Sequence, residues 1–128
     1  MKTSIVILLA LILSSCCNKE PYPVPVLKIK YTNLSSTSNI KAIRTDRNNF
    51  SVIFDTIFLG ELNSSNSFST IMTFEENSPN YIIFIENTSY IDTISDISFK
   101  RKGCKNKIKN FEYKFNGEIR TETELTIN

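Results

Sequence analysis

From Val26 onward the chain alternates apolar and polar residues with a period of two, and no stretch carries the wider spacing of a helical stripe. Leu27, Ile29 and Tyr31 alternate with Lys28 and Lys30. Phe50, Val52 and Phe54 alternate with Ser51 and Asp55, and Phe68, Thr70, Met72 and Phe74 with Ser69, Ile71 and Thr73. Each run is expected to form a strand with one face buried. Tyr81-Ile82-Ile83-Phe84-Ile85 is apolar at every position, which predicts a central strand packed on one side and shielded on the other. The pattern continues over residues 90–99 and 108–115 and closes with Ile119, Thr121, Thr123, Leu125 and Ile127.

Clusters of Asn, Ser, Pro and Gly at 33–39, 46–49, 63–67, 75–80, 87–89 and 103–106 separate these runs. The result is about seven or eight short strands between regular turn signals. That spacing predicts an all-β fold over residues 26–128, a single antiparallel β-sandwich of the immunoglobulin-like or transthyretin-like kind. The composition agrees: Ile, Phe and Thr are heavily used, and the chain has only 3 Gly. There is room for one domain, and with 15 basic against 13 acidic residues net charge points to no partner.

The last hairpin is specific enough for a register. A two-residue turn at Asn116-Gly117 sets Phe115 opposite Glu118 and Tyr113 opposite Arg120, mixing aromatics with charges on one face. A three-residue loop of Phe115, Asn116 and Gly117 sorts them instead, pairing Lys114 with Glu118 and Tyr113 with Ile119. The bulged three-residue turn is therefore the expectation.

Several chemistries lack their parts. The chain has no histidine, which removes the usual general base, the usual zinc ligand and the Ser-His-Asp arrangement. Gly60, Gly103 and Gly117 cannot build a phosphate-cradling loop, and there is no CxxC motif. The carboxylates are scattered over strand surfaces, so no enzyme activity, catalytic residue, cofactor or metal is expected, and no nucleic-acid partner. Asp92 and Asp96 are expected on one face of a strand about 13 Å apart, too far for one ion to bridge. Asp46, Asn48 and Asn49 bring oxygens close together in a turn, where the ordinary alternative to a calcium site is an Asx turn.

One asymmetric feature remains. Lys100, Arg101, Lys102, Lys105, Lys107 and Lys109 form a basic cluster on a loop and its flanking strands, with Lys114 beyond it. Such a patch can hold anionic lipid head groups, lipopolysaccharide phosphates or acidic glycan. Lysines on an edge also simply block edge-to-edge pairing, and Glu118, Glu122 and Glu124 are expected to neutralise part of the patch.

The N-terminus addresses the chain. Lys2 leads into an apolar run over residues 5–13, too short for a permanent membrane span and suited to a signal-peptide core. Leu13-Ser14-Ser15-Cys16 resembles the bacterial lipobox, so residues 1–15 read as a lipoprotein signal peptide and Cys16 as the acylated first residue of the mature chain. The alternatives are an uncleaved anchor or an ordinary cleaved signal. Residues 16–25, with Pro21, Pro23 and Pro25, read as an extended tether, residues 18–25 reaching about 20–25 Å. Cys17 belongs to the processing site and Cys104 reads as a lone thiol rather than its disulfide partner.

With its short single domain, the chain resembles the small lipoproteins of Bacteroidota-type bacteria. The resemblance implies a lipid-anchored envelope protein, attached through palmitate-type chains to the outer membrane on its periplasmic face or at the cell surface. Lys19-Glu20 faintly resembles a surface-export tag. Asp55-Thr56-Ile57 and Asp92-Thr93-Ile94 resemble the acceptor tripeptide for O-glycosylation in such bacteria, making Thr56 and Thr93 candidate modification sites. The expected function is a non-enzymatic binding or accessory module contacting another envelope protein or a glycan. The alternative is a structural lipoprotein whose basic loop, residues 100–109, touches anionic lipid or lipopolysaccharide.

Overall fold

The computed structural model describes residues 22–34, 38–62, 67–103 and 106–128. Among them are nine strands and no helix: β1 (Val26–Tyr31), β2 (Asn39–Thr45), β3 (Ile53–Glu61), β4 (Phe68–Thr73), β5 (Asn80–Ile85), β6 (Ile91–Lys102), β7 (Lys107–Phe115), β8 (Glu118–Arg120) and β9 (Glu124–Ile127). They form a three-stranded sheet, β4-β1-β9, and a six-stranded sheet, β3-β2-β5-β6-β7-β8. Side chains from both sheets make one core, so the fold is the expected β-sandwich.

Strict alternation in β1 buries Leu27, Ile29 and Tyr31 completely and leaves Val26, Lys28 and Lys30 outside. The apolar run at 81–85 becomes β5, flanked by β2 and β6 within the wide sheet. Phe74 packs edge-on to Tyr81 and stacks on Phe111, with ring centres 5.9 Å apart in each case, and Phe111 continues to Tyr113 at 5.3 Å. Each fully buried side chain of this size contributes about 1.5–3 kcal/mol through removal of apolar surface from water. At the corner between β3 and β4 the Phe68 ring fills the space a side chain at Gly60 would need: a Cβ there would lie 2.3 Å from the ring.

The run at 50–54 does not bury the expected face: β3, at the edge of the wide sheet, begins only at Ile53, and Phe50, Val52 and Phe54 are all exposed. Three further expectations change. First, the closing run is two strands in different sheets: β8 pairs with β7, whereas β9 pairs with β1 in parallel, Ile29 opposite Leu125. Leu125 is buried and Ile119 is 63% exposed, so the alternation through 119–127 spans a change of sheet.

Second, the last hairpin has the two-residue turn, with Phe115 opposite Glu118 and Tyr113 opposite Arg120. Asn116 and Gly117 both have positive φ, 51° and 84°, as a tight primed turn requires. The Asn116 side chain also accepts from the Thr93 backbone N–H (2.8 Å) and donates to Asp92 (2.7 Å). These local bonds outweigh the mixing of residue types, and Glu118 and Glu122 pair with the two terminal nitrogens of Arg120 while its buried Nε has no partner among the described residues.

Third, Asp92 and Asp96 do not share a face. Asp96 has φ 51° and lies in a shift of the β6–β7 register, so the burial phase of β6 slips by one residue. Asp92 is 4% exposed, with the Tyr31 hydroxyl donating to it at 3.0 Å, and Asp96 lies outside, paired with Lys114 at 2.8 Å.

Candidate anion-binding ribbon

β5 pairs with β6 only over residues 91–94, and β8 pairs with β7 only over residues 113–115. Beyond those points β6 and β7 pair only with each other and run on as a two-stranded ribbon. Its inner face carries Ile97, Phe99, Arg101, Ile108 and Phe111; Ile97 and Phe111 are buried and the others half-buried. Asn110, at φ 52°, adds a second irregularity, which keeps Ile108 and Phe111 on the same side.

The outer face of the ribbon is basic by register. Lys100 lies directly opposite Lys109, and Lys102 directly opposite Lys107. All four are exposed, and among the described residues none of them forms an ion pair. Directly opposed residues in an antiparallel pair sit about 5 Å apart at the Cβ level, and the two lysine pairs are about 7 Å from each other along the strand. Like charges so placed repel; Glu112, opposite Ser98 in the next outward row of the ribbon, is exposed and forms no ion pair with any of the four among the described residues.

The acids expected to neutralise this patch are engaged elsewhere. Glu118 and Glu122 hold Arg120, at 2.6 and 3.4 Å, and Glu124 holds Lys28 at 3.1 Å. Lys114 is occupied as well: its hydrogen bond to Asp96 raises its pKa above the ordinary lysine value.

Arg101 is set apart from the lysines because it points to the other face. Its guanidinium lies 5.1 Å over the Phe99 ring and 5.8 Å from the Tyr22 ring, pairs with Glu76 at 2.5 Å, and donates through Nε to the Pro23 carbonyl at 3.3 Å. The segment leading into β1 is thereby tied to the end of the ribbon. Pro25 is itself buried and its carbonyl accepts from the Phe74 N–H at 3.1 Å.

Thr56 and Thr93 fall in one cross-strand row on the outward face of the wide sheet, running Thr56, Ile43, Ile82, Thr93. Thr56 is exposed and Thr93 half-buried. Their neighbouring aspartates are structural: Asp55 is held by Arg44, which lowers its pKa, and Asp92 is buried. The 46–49 turn is an Asx turn, in which Asp46 Oδ1 accepts from the Asn48 N–H (2.8 Å) and Asn49 Oδ1 from the Ser51 N–H (2.9 Å). No group of three or more metal-binding side chains occurs among the described residues. Residues 1–15, Cys16, Cys17, Lys19, Glu20, Cys104 and Lys105 lie outside the described residues.

A second surface was not anticipated from the sequence. Next to the threonine row lies the row Phe58, Lys41, Phe84, Ile91, in which Phe58 is 59% and Ile91 is 62% exposed. Along the outward face of β6 the character thus changes from apolar at Ile91 to basic at Lys102. Comparison with known protein families, curated proteins and solved structures returned no match.

Proposed function

We propose that this chain is a lipid-anchored, non-enzymatic protein of the bacterial cell envelope, held through Cys16, which engages a polyanionic surface with Lys100, Lys102, Lys107 and Lys109. The observation that carries the reading is the register: two directly opposed lysine pairs on the outer face of a ribbon, without acidic partners among the described residues. Each lysine near an anionic surface contributes about 1 kcal/mol. The attraction extends over a screening length of about 8 Å at physiological salt.

The test uses residues 18–128, which include the whole sandwich but not the acylated cysteine, and beads coated with phosphatidylglycerol. Retention is expected at low salt, with release by about 0.5 M NaCl, where screening is strong. Changing all four lysines to Gln is expected to abolish retention. Binding indifferent both to salt and to the four substitutions would dispose of the reading.

The exposed row of Phe58, Phe84 and Ile91 favours a second reading, an accessory module whose sheet face contacts another envelope protein. Cross-linking in native membranes from a position beside Phe58 is expected to capture one dominant protein neighbour. Only lipid or glycan adducts there would argue against it.

A further inference from the structure

We infer that the polyanionic surface is the same bilayer that holds the chain's own lipid, and that Arg101 fixes the root of the tether so that the sandwich rests ribbon-end down upon it. This deepens the reading above and rests on it, both for acylation at Cys16 and for anion binding by the lysines.

The described chain begins at Tyr22 and Pro23, and both are held by Arg101, two residues from the ribbon's turn at Gly103. Lys100 and Lys102 are the sequence neighbours of Arg101 and point to the opposite face of the same strand. The tether root and the lysines are therefore separated by the thickness of one strand. Residues 16–21 can span at most about 20 Å even when fully extended. A lipid at Cys16 thus keeps the ribbon end close to the bilayer, whereas Ile91 lies roughly 30–35 Å further along β6.

Anchoring and charge then act together. Four lysines bind a free anionic vesicle only weakly at physiological salt, but a lipid on the same chain turns their contact into an intramolecular event at high effective concentration. The clasp narrows the geometry further. Arg101 meets the incoming chain through a ring contact and a carbonyl, and Phe74 bonds the Pro25 carbonyl, so the tether cannot swing freely at its root. Arg101 is a positioning residue here and makes no contact with lipid.

The chain contains no tryptophan, so one introduced indole is an unambiguous reporter. Ser98→Trp marks the lysine face and Ile91→Trp the far end of the same face. Each lipidated full-length variant is reconstituted into vesicles of phosphatidylcholine alone or with phosphatidylglycerol, carrying a quencher at head-group depth. With phosphatidylglycerol present, Ser98→Trp is expected to be quenched several-fold more than Ile91→Trp. That contrast should vanish in pure phosphatidylcholine and in the four-lysine Gln variant, although the protein stays vesicle-bound through its lipid. Arg101→Ala should reduce the contrast while leaving retention on phosphatidylglycerol beads unchanged. If that variant fails to fold, Tyr22→Ala removes one contact at the exposed root and should lower the same contrast. Equal quenching at both positions, with salt-dependent bead retention intact, would overturn the orientation and spare the anion-binding reading. Loss of bead retention, or a chain that does not stay on vesicles, would overturn that reading and this inference with it.

Discussion

The two halves of β6 have the same alternating chemistry and different neighbours. Over residues 91–94 the strand has β5 on one side, and its inward residues Asp92 and Ile94 are 4% and 0% exposed. Over residues 97–102 only β7 remains, and the outward positions hold lysines opposed by lysines. In the first half a polar side chain is tolerated inside because Tyr31 and Asn116 bond it. In the second half charges are tolerated outside although they repel one another. The first arrangement sustains the fold; the second costs the fold something and is intelligible as a binding surface.

The largest expected effect breaks the comparison at Asp92. Asp92→Ala strands a buried tyrosine hydroxyl and an asparagine amide, and should cost about 3 kcal/mol in urea unfolding, with Asp92→Asn costing roughly half as much. A change below about 0.5 kcal/mol would mean that the buried network does not hold the two sheets together.

Alkaline titration probes the same half. Burial, then the Asp92 charge, push the Tyr90 hydroxyl up to about 12, and burial followed by the Glu122 charge does the same for Tyr113. Tyr31 moves in the same direction, mainly through burial. Folded-state pKa values above the unfolded value of about 10 mean that this stabilisation is complete below pH ~10 and is lost as the pH rises from ~10 through ~12. Circular dichroism followed with tyrosinate absorbance should show unfolding in that window. Tyrosines that ionise near pH ~10 with the fold intact would contradict it.

The ribbon should respond in the opposite sense. Lys100→Glu faces Lys109 and Lys107→Glu faces Lys102, so each change turns a repulsive pair into an attractive one. Together they should raise stability by about 0.5–1 kcal/mol while weakening retention on phosphatidylglycerol. Reduced stability would indicate that the lysines serve the fold after all. The smallest effect is expected at the boundary: Asp96→Gly relieves a positive φ but loses the Lys114 pair, and should move the melting temperature by no more than ~1–2 °C.

How much was readable from the sequence follows the same division. Most of the strand pattern, the central place of residues 81–85 and the lysines themselves lie in residue type and period, which the sequence displays directly; the alternation at 50–54 misled because that segment leads into an edge strand with its aromatics exposed. The phase of β6 could not be read, because one residue at Asp96 in a left-handed conformation shifts every later side chain, and aspartate marks such positions only weakly. Without that shift, neither the exposure of Asp96 nor the separation of Arg101 from the lysines follows. The last hairpin misled for a different reason: sorting side chains by face is a weak criterion beside an Asn-Gly turn whose asparagine bonds a buried aspartate. That Glu124 does not neutralise the lysines depended on long-range placement, since it sits in the other sheet, across from Lys28.

The parallel pairing of β1 with β9 also bears on mechanics. The chain enters at one end of this strand pair and finishes at the other, where the Thr32 N–H donates to the Ile127 carbonyl at 2.8 Å. Tension applied between Val26 and Ile127 would therefore pull the two strands lengthwise past each other, straining their shared bonds all at once instead of peeling them in turn. Single-molecule stretching between those two points should meet a high rupture force, and a low-force, stepwise release would show that some other part of the sandwich gives way first.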